Sequence, residues 1–214
     1  AGESAMTDII TSGRLELGIA RGAYSYEYER LMPGMEAWEA GARLREMIPA
    51  IRGLWNGNYA HDGEYYKFPK STSTPKPIQS SGPPIWIAAR DPNSHEFAVE
   101  NNCNVQVTPL WQDYEEVEVL IARFRAAQTK CQNQYQSKIM LLQHTFVSKT
   151  EDELEHAAEL FSKFYSHFGA WFKNERPVDQ ALMKKLSDDE IKALEMYSPA
   201  IMKNNLAIGN SMEV

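Results

Sequence analysis

Nowhere in its 214 residues does the chain carry the ~20 consecutive apolar residues that a membrane span needs, and its N-terminus lacks a charged stretch followed by an apolar signal core. These absences predict a cytoplasmic protein with no membrane partner. A basic stripe is missing too: 29 acidic residues against 22 basic ones leave a net charge of -7, with the acids scattered, which argues against nucleic acid as a partner. Cysteine is scarce. Cys103 and Cys131 stand far apart with no histidine at ligand spacing, so neither a disulfide framework nor a zinc site is expected. His61, His95, His144, His156 and His167 form no HxxxH-type pair, and no metal is expected. What the chain does have is enough apolar material for a core, with 43% hydrophobic and 11% aromatic residues.

Along the chain, Ala5, Met6, Ile9 and Ile10 share one face of a helical tail that Gly13 can stop, and the chain reads as starting inside that element. Leu15, Leu17 and Ile19 then alternate with Arg14, Glu16 and Gly18 at the period of a strand. Past a loop, "YSYEYER", Leu44, Met47, Ile48, Ile51, Leu54 and Trp55 mark a helix over 35–56, with Pro49 predicting a kink. Residues 56–84 read as an insertion: a hairpin turning at Asp62-Gly63, then a proline-rich strap. Strands follow at "PIWIAAR", "NVQVTP" and "KIMLLQHTFVS", separated by a helix capped near Asp91 or Asn93 and by one over 113–128. Thr150 with Glu153, and Ser187 with Glu190, have capping-box spacing. The first box opens a long helix whose expected inner stripe is Leu154, Ala157, Phe161, Phe164, Phe168 and Trp171. Strand then helix, repeated, argues for a parallel α/β sheet with right-handed crossovers, either small and open or part of a (β/α)8 barrel.

The first strand ends on Arg21 between Ala20 and Gly22. Small neighbours let a planar group approach the backbone, and a fixed guanidinium suits an anion such as a phosphate. A surface ion pair is the plainer alternative on so acidic a chain.

The segments "SGRLELGIARG", "LWNGNYAHDGEYYKF", "PKPIQSSGPPIWIAARDPNSHEFA" and "VTP", in that order, resemble the luciferase-like flavin monooxygenases, the superfamily of bacterial luciferase. "AIGNSMEV" resembles the family's "GTPEEV" segment near its C-terminal region. The resemblance implies a (β/α)8 TIM barrel, incomplete here: residues 1–214 form a single partial barrel domain of about strands four to seven, with the 56–84 hairpin inserted. It implies FMN at the C-terminal strand ends. By position, Arg21 matches an arginine that contacts the flavin phosphate and Ala20 a position near the reactive edge of the ring. Ala88, Ala89, Arg90 and Ser94 match a phosphate-binding turn and helix start, where orphan amides and the helix dipole favour an anion. A second family arginine matches Ala40, beside Gly41, leaving Arg90 or Arg43 as substitutes. Glu27 falls where bacterial luciferase has an acidic residue near the flavin, and reads more simply as a solvated loop charge.

The implied activity is oxygenation of a small organic substrate with reduced FMN and O2, the reduced flavin supplied by a separate NAD(P)H-dependent reductase. No catalytic base can be named. Two rivals stand beside it: a deazaflavin-dependent oxidoreductase of the same superfamily, and a non-catalytic flavin-binding protein. Open edges of a partial barrel also predict pairing, as a homodimer or with the missing barrel segments.

Overall fold

The computed structural model describes residues 1–131, 134–173, 176, 178–180 and 182–211. Its elements are, in order, α1 (Gly2–Ile10), β1 (Leu17–Ile19), α2 (Ser25–Leu31), α3 (Ala37–Asn56), β2 (Asn58–Asp62), β3 (Lys67–Thr72), β4 (Ile85–Ala88), α4 (Pro92–Glu100) and β5 (Asn104–Val107). Then come α5 (Tyr114–Cys131), β6 (Ile139–Leu141), β7 (Thr145–Val147), α6 (Glu151–Phe172), β8 (Val178–Asp179), β9 (Leu182–Met183), α7 (Asp188–Lys192), a 3-10 turn (Glu195–Tyr197), α8 (Pro199–Asn205) and β10 (Ala207–Gly209). They form two compact units, one of residues 1–22, 28–107 and 121–140, the other of 23–27, 108–120 and 141–214.

The first unit is built on a sheet of order β1-β4-β5-β6. β1 and β4 run parallel with Leu17, Gly18 and Ile19 opposite Ile85, Trp86 and Ile87. β4 and β5 are likewise parallel, Ile87 facing Val105 and Ala88 facing Gln106. Alternation then sorts the side chains by face. Ile85, Ile87, Ala89, Val105 and Val107 are buried on one face, whereas the other carries exposed Gly18, Ala20 and Ala88 together with buried Trp86 and Asn104. Leu44, Ile48 and Trp55 of α3 are buried, and the helix runs through exposed Pro49 without ending. The 35–56 helix of the sequence reading is therefore one element in which packing outweighs the lost backbone bond.

Side chains tie the loops to this frame. Glu46 on α3 accepts the amides of Glu64, Tyr65 and Tyr66 at 3.1, 3.0 and 2.7 Å, and pairs with His61 at 3.1 Å, holding the turn between antiparallel β2 and β3. Burial raises the Glu46 carboxyl, but those amides and His61 outweigh it and hold it below the ordinary range. α1 ends on a two-bond cap, Ser12 donating to Ile9 and Gly13 to Asp8, and the left-handed residue is Ser12 (φ 56) as well as Gly13 (φ 76). Cys103 and Cys131 are free thiols. No helix among the described residues is long and apolar enough to cross a membrane.

In the second unit α6 packs with α8 and the 3-10 turn around Leu154, Ala158, Tyr165, Tyr197, Met202, Leu206 and Ile208. The inner face of α6 keeps Leu154 and Ala157 of the stripe read in the sequence, with Phe161 and Phe168 half-buried against the same core, and departs from it at the other two positions. Phe164 and Trp171 are 49% and 42% exposed, while Ala158, Ser162, Tyr165, Ser166 and Gly169 are buried. The reason is proximity: small residues let the neighbouring turn approach, and a Cβ on Gly169 would stand 2.4 Å from the Tyr197 hydroxyl. Three further readings change. "YSYEYER" is not a loop, because residues 25–31 are helical. "KIMLLQHTFVS" is two strands: β6 extends the four-stranded sheet, and β7 pairs in parallel with β10, a strand lying in the segment read as a turn. The break falls at His144, whose ring packs on Phe161, Phe164 and Tyr165. Thr150 caps α6 through the Glu153 amide, but Glu153 answers the amide of Lys149 instead of Thr150; the reciprocal box forms only at Ser187 and Glu190. Met212, Glu213 and Val214 of "AIGNSMEV" lie outside the described residues.

Candidate functional site

Parallel pairing of β1 with β4 brings their C-terminal ends side by side, so Ala20 and Arg21 emerge next to Ala88 and Ala89. Ala20 and Ala88 are exposed, and Gly18 leaves the Gln106 side chain room at 3.7 Å from where its own Cβ would be. The result is a patch of very small side chains at the strand ends, with the Gln106 amide at its edge and Trp86, which pairs with Gly18 and Asn104, on the same face.

Arg21 is exposed and donates from Nη1 to the carbonyl of Ala37, at the start of α3, at 3.1 Å. Its aliphatic stem lies 4.0 Å from where a Cβ on Gly41 would be, and Arg45 Nη1 approaches the same point at 4.0 Å. Two guanidinium-bearing side chains thus flank one glycine. Arg45 also stacks over Phe97 of α4, 5.7 Å from the ring centroid. The sequence reading missed Arg45. Its signal was there, since Arg45 is one helical turn past Gly41 and so on the same face of α3. Of the two substitutes considered, Arg43 is engaged, donating twice to Glu39 at 2.7 and 2.8 Å and lying over Tyr65 at 4.9 Å. Arg90 is half-buried, and its carbonyl accepts from Arg123 at 2.7 Å. Ala40 is buried.

The turn between β4 and α4 is held from within. The Ala89 amide donates to Gln106 at 3.1 Å, so it is used inside the sheet. The Ala89 carbonyl faces His95 Nε2 at 3.1 Å; as a carbonyl only accepts, Nε2 carries the proton and Nδ1, buried with no partner, does not. Burial pushes the His95 pKa down, further than its bond to Ala89 raises it. Asp91 caps α4 and accepts both the amide and the hydroxyl of Ser94, at 3.0 and 2.6 Å. Burial raises the Asp91 carboxyl, yet the Ser94 bonds and the nearby charge of Arg45 hold it below the ordinary range. Ser94 is therefore already answered by an anion belonging to the chain.

Glu27 lies on α2, half-buried. In the second unit a separate apolar groove of about 500 Å³ is lined by His144, Phe146, His156, Leu160, Phe161 and Phe164. Burial lowers the His144 pKa there. Among the described residues no group of three or more His, Cys, Asp or Glu could hold a metal ion.

The family model described as luciferase-like monooxygenase matches residues 1–214. The chain belongs to that family. Over all 214 residues this luciferase-like chain is 59% identical to the oxygenase component of the flavin-dependent trigonelline monooxygenase of Acinetobacter baylyi, and it spans 59% of that protein's length. It is 33% identical over 98 residues to the FMNH(2)-dependent dimethylsulfone monooxygenase of Pseudomonas putida, covering 42% of this chain and 27% of that one. Among solved structures, an F420-dependent secondary alcohol dehydrogenase in complex with an F420-acetone adduct superposes with a TM-score of 0.67 at 13% identity, over 98% of this chain and 61% of its own. The fold is thus an incomplete (β/α)8 barrel of the luciferase-like type, and the exposed Gly18, Ala20 and Ala88 lie on the face of its sheet that also carries Trp86 and Asn104.

Proposed function

We propose that the complete protein is the oxygenase component of a two-component flavin monooxygenase: it takes reduced FMN from a separate NAD(P)H-dependent reductase and oxygenates a small N-heteroaromatic substrate of the trigonelline kind. The observation that carries this reading is the pairing of β1 with β4, which sets Arg21, the small-residue patch and the 88–94 turn at one end of one sheet. The 59% identity to an oxygenase component supports the reaction class and the substrate kind.

The residues present suit a phosphorylated planar ligand. Gly41 leaves its backbone bare between two arginines, which matches a dianion in charge and allows close approach. Bound reduced FMN would supply two electrons, so that one oxygen atom of O2 enters the substrate and the other leaves as water. On this reading Arg21 holds the phosphate and Ala20 and Ala88 leave space against a flat ring. Ala88, Ala89, Arg90 and Ser94 shape the turn beneath it, with Asp91 kept as the cap on the Ser94 amide and hydroxyl. His95 fixes that turn through the Ala89 carbonyl, and the apolar side chains behind the sheet exclude water. A cytoplasmic setting belongs to the proposal. So does assembly as a homodimer or with the remaining barrel segments, supported by β7, where Thr145, Phe146 and Val147 are all exposed.

The test supplies the full-length protein with reduced FMN, O2 and trigonelline, and follows O2 uptake and product mass. Substrate-dependent uptake with a product one oxygen heavier supports the proposal. FMN binding without turnover of any such substrate would favour a binding-only protein, and failure to bind FMN while binding F420 would favour hydride transfer.

A further inference from the structure

The proposed site is one cation short if Arg21 acts alone. A phosphate dianion approaching the start of α4 meets the Asp91 carboxylate, which already takes the Ser94 amide and hydroxyl. The helix dipole is then answered internally, and attraction must come from side chains. Ala40 carries no charge and is buried, and Arg43 is paired with Glu39. Arg45 differs. It is exposed and, among the described residues, forms no ion pair; its guanidinium lies over Phe97 of α4 and within 4.0 Å of the point at Gly41 that the Arg21 stem also approaches.

We infer that Arg45 is the second phosphate-binding residue of this protein, closing with Arg21 over Gly41 on the terminal phosphate of the flavin nucleotide; this rests on the flavin reading above. Gly41 provides the opening, since it presents no side chain between the two cations. Stacking on Phe97 orders the Arg45 guanidinium in advance, so less rotamer freedom is lost on binding. Two guanidinium charges match a dianion, while Asp91 remains as cap. The pair also gives a basis for selecting the phosphorylated cofactor over riboflavin, whose ring is the same but which lacks the anion.

Anaerobic calorimetric titration of the full-length protein with reduced FMN and with reduced riboflavin tests this, using Arg45→Ala, Arg45→Lys and Arg21→Ala. Removing one charge-assisted contact is expected to weaken FMN binding roughly 10- to 100-fold. Riboflavin binding and the melting temperature should be unchanged in Arg45→Ala, and Arg45→Lys should recover part of the loss because it keeps the charge but not the fork. If Arg45→Ala binds FMN like the wild type while Arg21→Ala does not, the inference falls and the flavin site stands. Equal loss of FMN and riboflavin in Arg45→Ala would mark a structural role and also overturn it. A wild type with no preference for FMN over riboflavin would remove both the inference and the phosphate site on which it rests.

Discussion

Asp8 is buried, with no exposed surface, and its replacement by asparagine changes one atom. Its Oδ2 accepts the amides of Ile78 and Gln79 at 2.9 and 3.1 Å, and its Oδ1 accepts Gln79 Nε2 at 2.8 Å. Gln79 Nε2 also donates to the carbonyl of Leu15 at 2.8 Å. An asparagine oxygen can keep the two backbone amides, but its NH2 then meets Gln79 Nε2, donor against donor. Turning the Gln79 amide repairs that contact and sets its oxygen against the Leu15 carbonyl. One buried contact is lost either way, at about 1–3 kcal/mol, and the two amide bonds fall from charge-assisted to neutral strength, about 0.5–1 kcal/mol each. Asp8→Asn should therefore cost about 3 kcal/mol, and Asp8→Ala more, because it leaves three donors unanswered. Urea unfolding at pH 7 followed by the fluorescence of Trp55 and Trp86, with hydrogen exchange at the amides of Ile78 and Gln79, measures this. Burial raises the Asp8 carboxyl, but its bonds to Gln79 and Ile78 outweigh that and lower it below its ordinary 3.8. The contribution is thus complete above that value and lost as pH falls through the folded one, so wild type and variant should converge in acid. Equal stability of Asp8→Asn and wild type at pH 7 would show that burying the charge costs as much as its bonds return, and would refute the reasoning.

Three further outcomes are expected. Gly169→Ala places a Cβ 2.4 Å from the Tyr197 hydroxyl; overpacking of up to about 3 kcal/mol against a helix-propensity gain of about 1 predicts a net loss of about 1–2 kcal/mol in thermal unfolding, and a stabilised variant would contradict the packing described. His95 and His144 both have pKa values lowered by burial, so the unfolded chain takes up their protons first and stability should fall below about pH 6.5, by at most about 1.4 kcal/mol per pH unit for each. Urea midpoints between pH 7.5 and 5.5 should show this slope, and His95→Gln should reduce it; a flat profile would count against buried neutral histidines. Thr150→Ala removes the side chain that accepts from the Glu153 amide at 3.2 Å and should cost about 1 kcal/mol in the same assay, whereas Glu155→Ala, on the exposed face and already sharing Lys203 with Glu151, should change little.

Local chemistry was legible in the chain itself. Alternation around Leu17 and Ile19, the Asp91 cap and the Ser187 box each depend on residues within a few positions, so strands and helix starts could be placed from the chain alone. The hairpin could be placed too, although its turn is Gly63–Tyr66 and Asp62 still pairs with Lys67 as a strand residue. Arg21 between small neighbours, with the ordered family segments, pointed to the strand end where the candidate site lies. What tertiary structure decided was everything that needs a partner distant in sequence. That Phe164 and Trp171 fall outside the inner face of α6 depended on Tyr197 lying against Gly169. Where "KIMLLQHTFVS" breaks depended on a change of strand partner, which period-two alternation does not encode. That Arg45, and not Arg43, comes beside Arg21 depended on Glu39 and Phe97 each claiming one guanidinium. Periodicity fixes which residues can share a surface, while the choice among equally patterned surfaces is made by close packing and charge pairing across the fold.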